Sequence, residues 1–155
     1  MSAGKSELIF IYGTLKRGFP NHAACMSEAE FVGLCETQES YPLVIGGRWH
    51  SPCLIDEPGS GLPVSGELYR VNPPTLAMLD QFESCDKPTG YLRKQIDIVM
   101  QGKDETIQVW TYLKPRNRIE GIHSDALSEY LDYGDYVIAS SRHPPGQAGE
   151  KPANL

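Results

Sequence analysis

Short strand-like segments separated by glycine- and proline-rich turns follow one another along most of this chain. The apolar patterning predicts strands over 9–12, 30–39, 43–45, 52–55, 64–71, 91–100 and 106–113. Helical patterning is limited to one turn over 20–27 and two helices, 75–83 and 124–133. Because the strands and helices do not alternate as β-α-β units, the pattern predicts an α+β fold, an antiparallel barrel with short helices packed on it.

Two local signals refine this prediction. Asn72 is a candidate N-cap, and Pro73 occupies a first helical position, where its missing N–H is not needed. Gly33 interrupts the strand over 30–39, which predicts a β-bulge. The helix that begins after Asn72 is therefore expected to end near Glu83.

The length and charge of the chain limit its organisation and its partners. A chain of 155 residues suits one domain that buries about 68–70% of its unfolded surface. We expect that domain over 7–140, with flexible ends over 1–6 and 141–155, where few apolar residues occur. The net charge of −6 argues against a nucleic-acid partner, since such proteins carry basic surfaces.

Targeting, metal and cofactor motifs are not evident. The N-terminus has no apolar signal region, and no stretch approaches the ~18 apolar residues of a membrane span. Four irregularly spaced cysteines and four dispersed histidines form no metal-binding pattern. The sequence also lacks a Gly-x-Ser-x-Gly elbow and a dinucleotide-binding glycine motif. We therefore expect a cytoplasmic protein, a monomer, with reduced thiols, no metal and no cofactor.

A glycine follows the first predicted strand and begins a polar loop. The strand ends at Tyr12, Gly13 gives the backbone freedom at its exit, and Thr14 and Leu15 follow. Successive N–H groups in such a loop can form a concavity that holds a carboxylate. An ordinary hairpin turn is the alternative interpretation, and the loop alone does not distinguish the two.

The loop is one of several sequence blocks that together match a known family, in the order in which that family has them. These blocks are Tyr12-Gly13-Thr14-Leu15, Pro20-Asn21-His22, Tyr41-Pro42-Leu43, Val64-Ser65-Gly66-Glu67-Leu68-Tyr69 and Phe82-Glu83-Ser84-Cys85. With them the chain, over roughly 7–136, resembles the γ-glutamylcyclotransferase-fold family, and within it the γ-glutamylamine cyclotransferases. The resemblance implies a small mixed α+β barrel in which the glycine loop and the end of the 75–83 helix meet at the barrel mouth.

The activity that the resemblance implies is an intramolecular cyclisation. The α-amine of a γ-glutamylamine attacks its own side-chain carbonyl, which yields 5-oxoproline and a free amine. The leading substrate is ε-(γ-glutamyl)-lysine, the dipeptide left after proteolysis of transglutaminase cross-links. The alternatives are a cyclotransferase for γ-glutamyl amino acids or glutathione, and a non-catalytic binding module on the same fold.

Two carboxylates compete for the role of general base. The family's catalytic glutamate falls on Glu83, and at a helix end the negative pole of the macrodipole raises the pKa of a carboxyl group. Glu67, within a predicted strand, is interpreted as a cross-strand or barrel-lining partner. The loop residues Tyr12, Gly13, Thr14 and Leu15 are the expected substrate-binding residues, with Gly13, Thr14 and Leu15 holding the α-carboxylate.

Overall fold

The computed structural model of the protein describes residues 5–138 and Arg142. Its main element is a closed five-stranded barrel with the strand order β1-β5-β2-β6-β7. The strands are β1 (Glu7–Ile11), β2 (Glu30–Thr37), β5 (Ser65–Val71), β6 (Leu92–Met100) and β7 (Thr106–Leu113). The β1–β7 pair that closes the barrel is parallel and the other pairs are antiparallel. The predicted mixed barrel is confirmed.

A separate two-stranded hairpin covers one end of the barrel. It consists of β3 (Leu43–Gly46) and β4 (Ser51–Leu54), which pair in antiparallel register. Lys114, directly after β7, bridges to Ile55, directly after β4. This bridge fixes the hairpin against the end of β7, beside the exit of β1.

The predicted bulge in β2 is present. The register of β2 against β5 shifts between Phe31 and Gly33. A side chain at Gly33 would come within 2.7 Å of the Met100 terminal methyl group. The bulge therefore coincides with a close approach that only glycine allows without a shift of the neighbouring side chain.

Helices α1 (His22–Cys25) and α2 (Pro73–Phe82) agree with the predictions. The Asn72 side chain accepts a hydrogen bond of 2.8 Å from the backbone N–H of Thr75, as expected of an N-cap. Two buried aliphatic side chains, Leu76 and Leu79, anchor α2 in the core. These contacts fix the C-terminal half of α2, and Glu83 follows the helix as its C-cap residue.

The helix predicted over 124–133 is wrong. This segment is irregular, with bends and one isolated β-bridge, in which the backbone N–H of Leu127 donates to the carbonyl of Leu43 at 2.7 Å. The carbonyl of Ser128 accepts from the N–H of Ser65 at 2.8 Å. Because the barrel and the hairpin supply these partners, the segment satisfies its backbone without helical hydrogen bonds.

No helix among residues 5–138 has the length and apolar character needed to cross a membrane. Of the ends predicted to be flexible, 1–6 and 141–155, residues 1–4, 141 and 143–155 lie outside the described residues.

Candidate active site

A cavity of about 1080 Å³ opens where the exit of β1, the tip of the β3–β4 hairpin and the end of α2 meet. Its lining includes Glu83 and the four expected substrate-binding residues, Tyr12, Gly13, Thr14 and Leu15. The loop and the helix end that the resemblance brings together are therefore neighbours in the fold. Their chemical roles stay predictions.

Glu83 presents its carboxyl group to this cavity. Its backbone N–H donates to the carbonyl of Leu79 at 2.9 Å, and its own carbonyl accepts from the N–H of Tyr91 at 3.1 Å. The residue as a whole is half-buried because it faces the cavity. Burial of the carboxyl group nevertheless raises its pKa from the ordinary 4.5 to about 7, although the charges of Lys114 and Arg142 oppose this rise. Such a carboxylate can accept and return a proton near neutral pH.

The glycine loop, residues 13–15, has backbone N–H groups without an acceptor in the described structure. Within residues 5–138 and Arg142, the N–H groups of Gly13, Thr14 and Leu15 donate to no acceptor. The carbonyls of the same loop are occupied, since those of Gly13 and Thr14 accept from Lys16 and Asn21 at 3.0 and 2.9 Å. Three adjacent donors without acceptors, on a loop that lines a cavity, suit the binding of a carboxylate or an oxyanion.

The reason that a glycine stands at position 13 differs from the one the sequence suggested. Gly13 does not adopt a positive φ, so conformational freedom does not require it. A Cβ atom at this position would instead lie 2.6 Å from the Pro52 Cγ atom of β4. Gly13 is therefore required by the close approach of the loop to the hairpin.

The basic side chains of the loop do not belong to the cavity. Lys16 is buried, and its ammonium donates to the carbonyl of Tyr130 at 2.6 Å. Arg17 stacks on the Phe31 ring, with its guanidinium carbon 3.7 Å from the ring centroid. An anion in the cavity would therefore be held by backbone N–H groups and by cations from other elements.

Two of those cations were not identified from the sequence. Lys114 begins a basic run over 114–118 that resembles a solvated turn, yet it lines the cavity with its ammonium 4.8 Å from the centre of the Tyr91 ring. Lys114 lies two residues after Tyr112, which also lines the cavity. Because alternate residues of a strand share a face, this spacing could have predicted the position of Lys114 from the sequence. Arg142 is the second cation, and no sequence motif around it predicts that it lines the cavity.

Three tyrosines make up part of the wall and are neutral. The Tyr12 hydroxyl donates to the carbonyl of Tyr112 at 2.8 Å, and that of Tyr91 donates to the carbonyl of Pro52 at 2.8 Å. The Tyr112 hydroxyl donates to Asp80 at 2.7 Å, which ties the barrel to α2. Burial raises the pKa of Tyr12 well above its usual value, and the nearby charge of Glu83 adds to the effect. Because its hydroxyl is hydrogen-bonded to Tyr112, Tyr12 fixes the start of the glycine loop to β7.

Glu67, the competing carboxylate, lies outside this cavity. It is buried on β5, where it accepts a hydrogen bond of 3.0 Å from the N–H of Arg17 and one of 2.7 Å from the Tyr69 hydroxyl. The cavity that Glu67 does line is a separate one of about 480 Å³. Glu67 thus stabilises the end of the glycine loop through its hydrogen bond from Arg17. Its position on β5 agrees with its interpretation as a barrel-lining partner.

A chain of polar contacts runs from the last described residue to the glycine loop. The Asn21 side-chain amide donates to the Thr14 hydroxyl at 2.7 Å and to the Tyr136 hydroxyl at 2.9 Å. The Tyr136 hydroxyl also accepts from Arg142 at 3.1 Å. Since Asn21 is buried, these contacts hold the loop in a single orientation.

We expect Tyr136→Phe to raise KM by about 2- to 10-fold with a smaller change in kcat, because one intramolecular hydrogen bond contributes about 0.5–1.5 kcal/mol. Steady-state kinetics measures the changes in KM and in kcat separately. Tyr133→Phe is the matched control, since Tyr133 lies three residues away and is largely exposed. Equal KM values for the Tyr136→Phe and Tyr133→Phe proteins would show that the polar chain does not position the loop.

No group of three or more histidine, cysteine, aspartate or glutamate side chains within the described residues is arranged to hold a metal ion. The residues gathered around the cavity offer two carboxyl groups, those of Glu83 and Glu120, three backbone donors and several cations.

Comparison with known proteins identifies the family of the chain. The family model described as gamma-glutamyl cyclotransferase, AIG2-like, matches residues 9–137. The chain belongs to this family. It is therefore a cyclotransferase enzyme, and the matched residues include the whole glycine loop, α2 and Glu83.

Relatives and solved structures extend the likeness over most of the chain. A gamma-glutamylaminecyclotransferase of Bos taurus is 36% identical over 141 residues, which cover 88% of this chain and 83% of that protein. Gamma-glutamylaminecyclotransferase B of Danio rerio is 37% identical, covering 84% and 71%. The crystal structure of an AIG2-like protein from Mus musculus superimposes with a TM-score of 0.76 at 31% identity, covering 90% of this chain and all of that one.

Proposed function

We propose that this cyclotransferase acts on γ-glutamylamines, with ε-(γ-glutamyl)-lysine as the leading substrate, and releases 5-oxoproline and the free amine. The observation that carries the proposal is that Glu83, with its raised pKa, lines the same cavity as the three N–H donors of residues 13–15. The names of the Bos taurus and Danio rerio relatives support the γ-glutamylamine class.

The γ-glutamyl head would bind by its α-carboxylate to the N–H groups of Gly13, Thr14 and Leu15. This contact holds the chain folded back, with its α-nitrogen near its own γ-carbonyl carbon. A well-oriented intramolecular reaction of this kind gains an effective molarity of about 10⁵–10⁸ M. The enzyme therefore needs no nucleophile of its own.

Glu83 would carry the proton transfers in sequence. Its carboxylate removes one proton from the α-ammonium, and the free amine then forms a bond to the γ-carbonyl carbon. The protonated Glu83 gives this proton to the departing nitrogen, whose bond to carbon breaks. The new ring nitrogen loses its extra proton to the Glu83 carboxylate, which returns it to the released amine through solvent.

The proposed setting is the cytoplasm, with the protein acting as a monomer without a cofactor in the breakdown of transglutaminase cross-links. Cys25, Cys35, Cys53 and Cys85 are free thiols, as a reducing compartment maintains. The dipeptide ε-(γ-glutamyl)-lysine is the form in which such cross-links remain after proteolysis.

Substrate class is tested by incubating the protein with ε-(γ-glutamyl)-lysine, a γ-glutamyl α-amino acid and glutathione, and by measuring 5-oxoproline. We expect release from ε-(γ-glutamyl)-lysine and none from glutathione. Release from glutathione at a comparable or higher rate would overturn the γ-glutamylamine assignment and leave the cyclisation chemistry intact. Binding of every compound without release would favour the binding-module alternative.

A further inference from the structure

The cavity carries more positive charge than the γ-glutamyl head can use. Its charged lining residues are two carboxylates, Glu83 and Glu120, and five cations, Arg48, Lys87, Lys114, Arg118 and Arg142. The chain as a whole has a net charge of −6, so this concentration of cations is local. A cleft lined by one sign of charge attracts ligands of the opposite sign. The head has a single carboxylate, for which residues 13–15 already provide donors.

Part of this charge is organised around one aromatic ring. The guanidinium carbons of Arg48 and Arg142 lie 4.9 and 5.2 Å from the centre of the Trp49 ring. Arg142 is held in place by hydrogen bonds from its Nε atom to the carbonyl of Val137 at 3.0 Å and from one terminal nitrogen to the Tyr136 hydroxyl at 3.1 Å. Within the part of the chain that the structure describes, neither arginine forms a salt bridge.

Arg48 and Trp49 mark the outer part of the cavity, and Arg142 reaches the Trp49 ring from the segment that follows Val137. Arg48 is exposed and Trp49 is half-buried at the turn of the β3–β4 hairpin, whereas Gly13 and Tyr12 lie against the barrel. A substrate whose head occupies the glycine loop must extend its leaving amine away from that loop. The far end of a flexible amine would therefore pass along Trp49 and reach the two guanidinium groups.

We infer that Arg48, Trp49 and Arg142 form a subsite for a carboxylate at the far end of the leaving amine. The inference rests on the proposed function and narrows its substrate class. Preferred substrates are γ-glutamylamines whose amine is an amino acid with a free carboxylate, bonded through a side-chain nitrogen. Diamines and polyamines of similar length are disfavoured, because their distal ammonium group meets two cations without a carboxylate to pair with them. Trp49 supplies an apolar face for the methylene groups of the amine.

The test compares ε-(γ-glutamyl)-lysine with N-(γ-glutamyl)-cadaverine, which has the same chain but lacks the carboxylate. We expect the purified protein to favour the lysine compound by at least about 10-fold in kcat/KM, the effect of one charge-assisted hydrogen bond. The preference should decrease as NaCl is raised from 50 to 500 mM, because the arginine at the rim is screened by salt.

Variants then assign the preference to residues. Arg142→Gln and Arg48→Gln should each lower the ratio of the two kcat/KM values, and the double variant should bring it close to one. Arg116→Gln is the matched control, since Arg116 is exposed, pairs with Glu57 at 2.7 Å and does not line the cavity. We expect it to keep the parental ratio.

Each outcome is decisive. Equal turnover of both compounds by the parent would overturn the subsite but leave the cyclotransferase assignment standing. An unchanged ratio of the two kcat/KM values in the Arg142→Gln protein would also overturn it, even if both values fall, because Arg142 also acts on Glu83 and, through Tyr136, on the glycine loop. Absence of 5-oxoproline release from both compounds would instead refute the proposed function.

Discussion

Replacement of Glu83 by Gln should reduce kcat by about 10³- to 10⁴-fold, in the upper range of general acid–base catalysis, because the same group serves in successive proton transfers. Glutamine keeps the size of the side chain but can neither accept nor return the proton. Measurement of 5-oxoproline release from ε-(γ-glutamyl)-lysine by the purified variant gives the loss. Substrate binding, followed by calorimetry, should persist because the loop donors of residues 13–15 remain.

Glu67→Gln is the control for a buried carboxylate outside the cavity. A glutamine at position 67 still has an oxygen that can accept from the N–H of Arg17 or from the Tyr69 hydroxyl. We expect its kcat to fall far less than that of Glu83→Gln. If Glu83→Gln keeps more than about a tenth of parental kcat, the loss is smaller than any expected for a general base, and the mechanism is wrong.

The raised pKa of Glu83 also predicts two effects of pH. The carboxylate is the active form, so kcat of the parent should fall as pH decreases through about 7. The folded state holds this proton more tightly than the unfolded state does, so its contribution to stability is present below about pH 4.5 and is lost as pH rises through about 7. Glu83→Gln should therefore melt at the same or a higher temperature than the parent at pH 8. A lower melting temperature would indicate that Glu83 is a structural residue.

Replacement of Gly13 by Val should reduce kcat/KM by about 10²-fold or more while the protein stays folded. The first carbon of the new side chain would lie 2.6 Å from the Pro52 Cγ atom, so the loop or the hairpin must shift. A displacement of about 1 Å at a substrate-positioning group is enough for a loss of this size. The overpacking itself costs about 1–3 kcal/mol, which thermal unfolding will report as a lower melting temperature.

Thr14→Ala separates the backbone from the side chains of the loop. It removes a hydroxyl that accepts from Asn21 at 2.7 Å but keeps the N–H group of residue 14. We expect a loss far smaller than that of Gly13→Val if the anion binds to N–H groups. A Gly13→Val protein as active as its parent would identify the loop as a plain turn without a role in binding.

Much of the barrel could be predicted because its signals are local. The strands have alternating or continuous apolar patterns, and Asn72 with Pro73 marks the start of α2 through contacts within one turn. The position of Glu83 at the end of that helix follows from the same pattern. The helix predicted over 124–133 failed because its backbone partners, Leu43 and Ser65, lie more than 60 residues away in sequence.

The candidate site could be predicted only in part, for a related reason. The resemblance selected Glu83 and residues 12–15 as candidates, because they belong to short blocks that match the family together and in order. Lys114 and Arg142 belong to no such block. Lys114 reaches the cavity because the parallel bridge with Ile55 fixes the end of β7 beside the hairpin. Arg142 reaches it through hydrogen bonds to Val137 and Tyr136.

The amino-acid sequence by itself determined the strands, the capped helix that ends at Glu83, and the glycine loop after the first strand. These features depend on neighbours within a few residues, and local patterning encodes them. Only the tertiary structure decided that the close approach of Pro52 requires a glycine at position 13, that burial raises the pKa of Glu83, and that Arg48 and Arg142 both lie beside the Trp49 ring. Each depends on atoms from distant segments, since steric exclusion, desolvation and charge act through space and not along the chain.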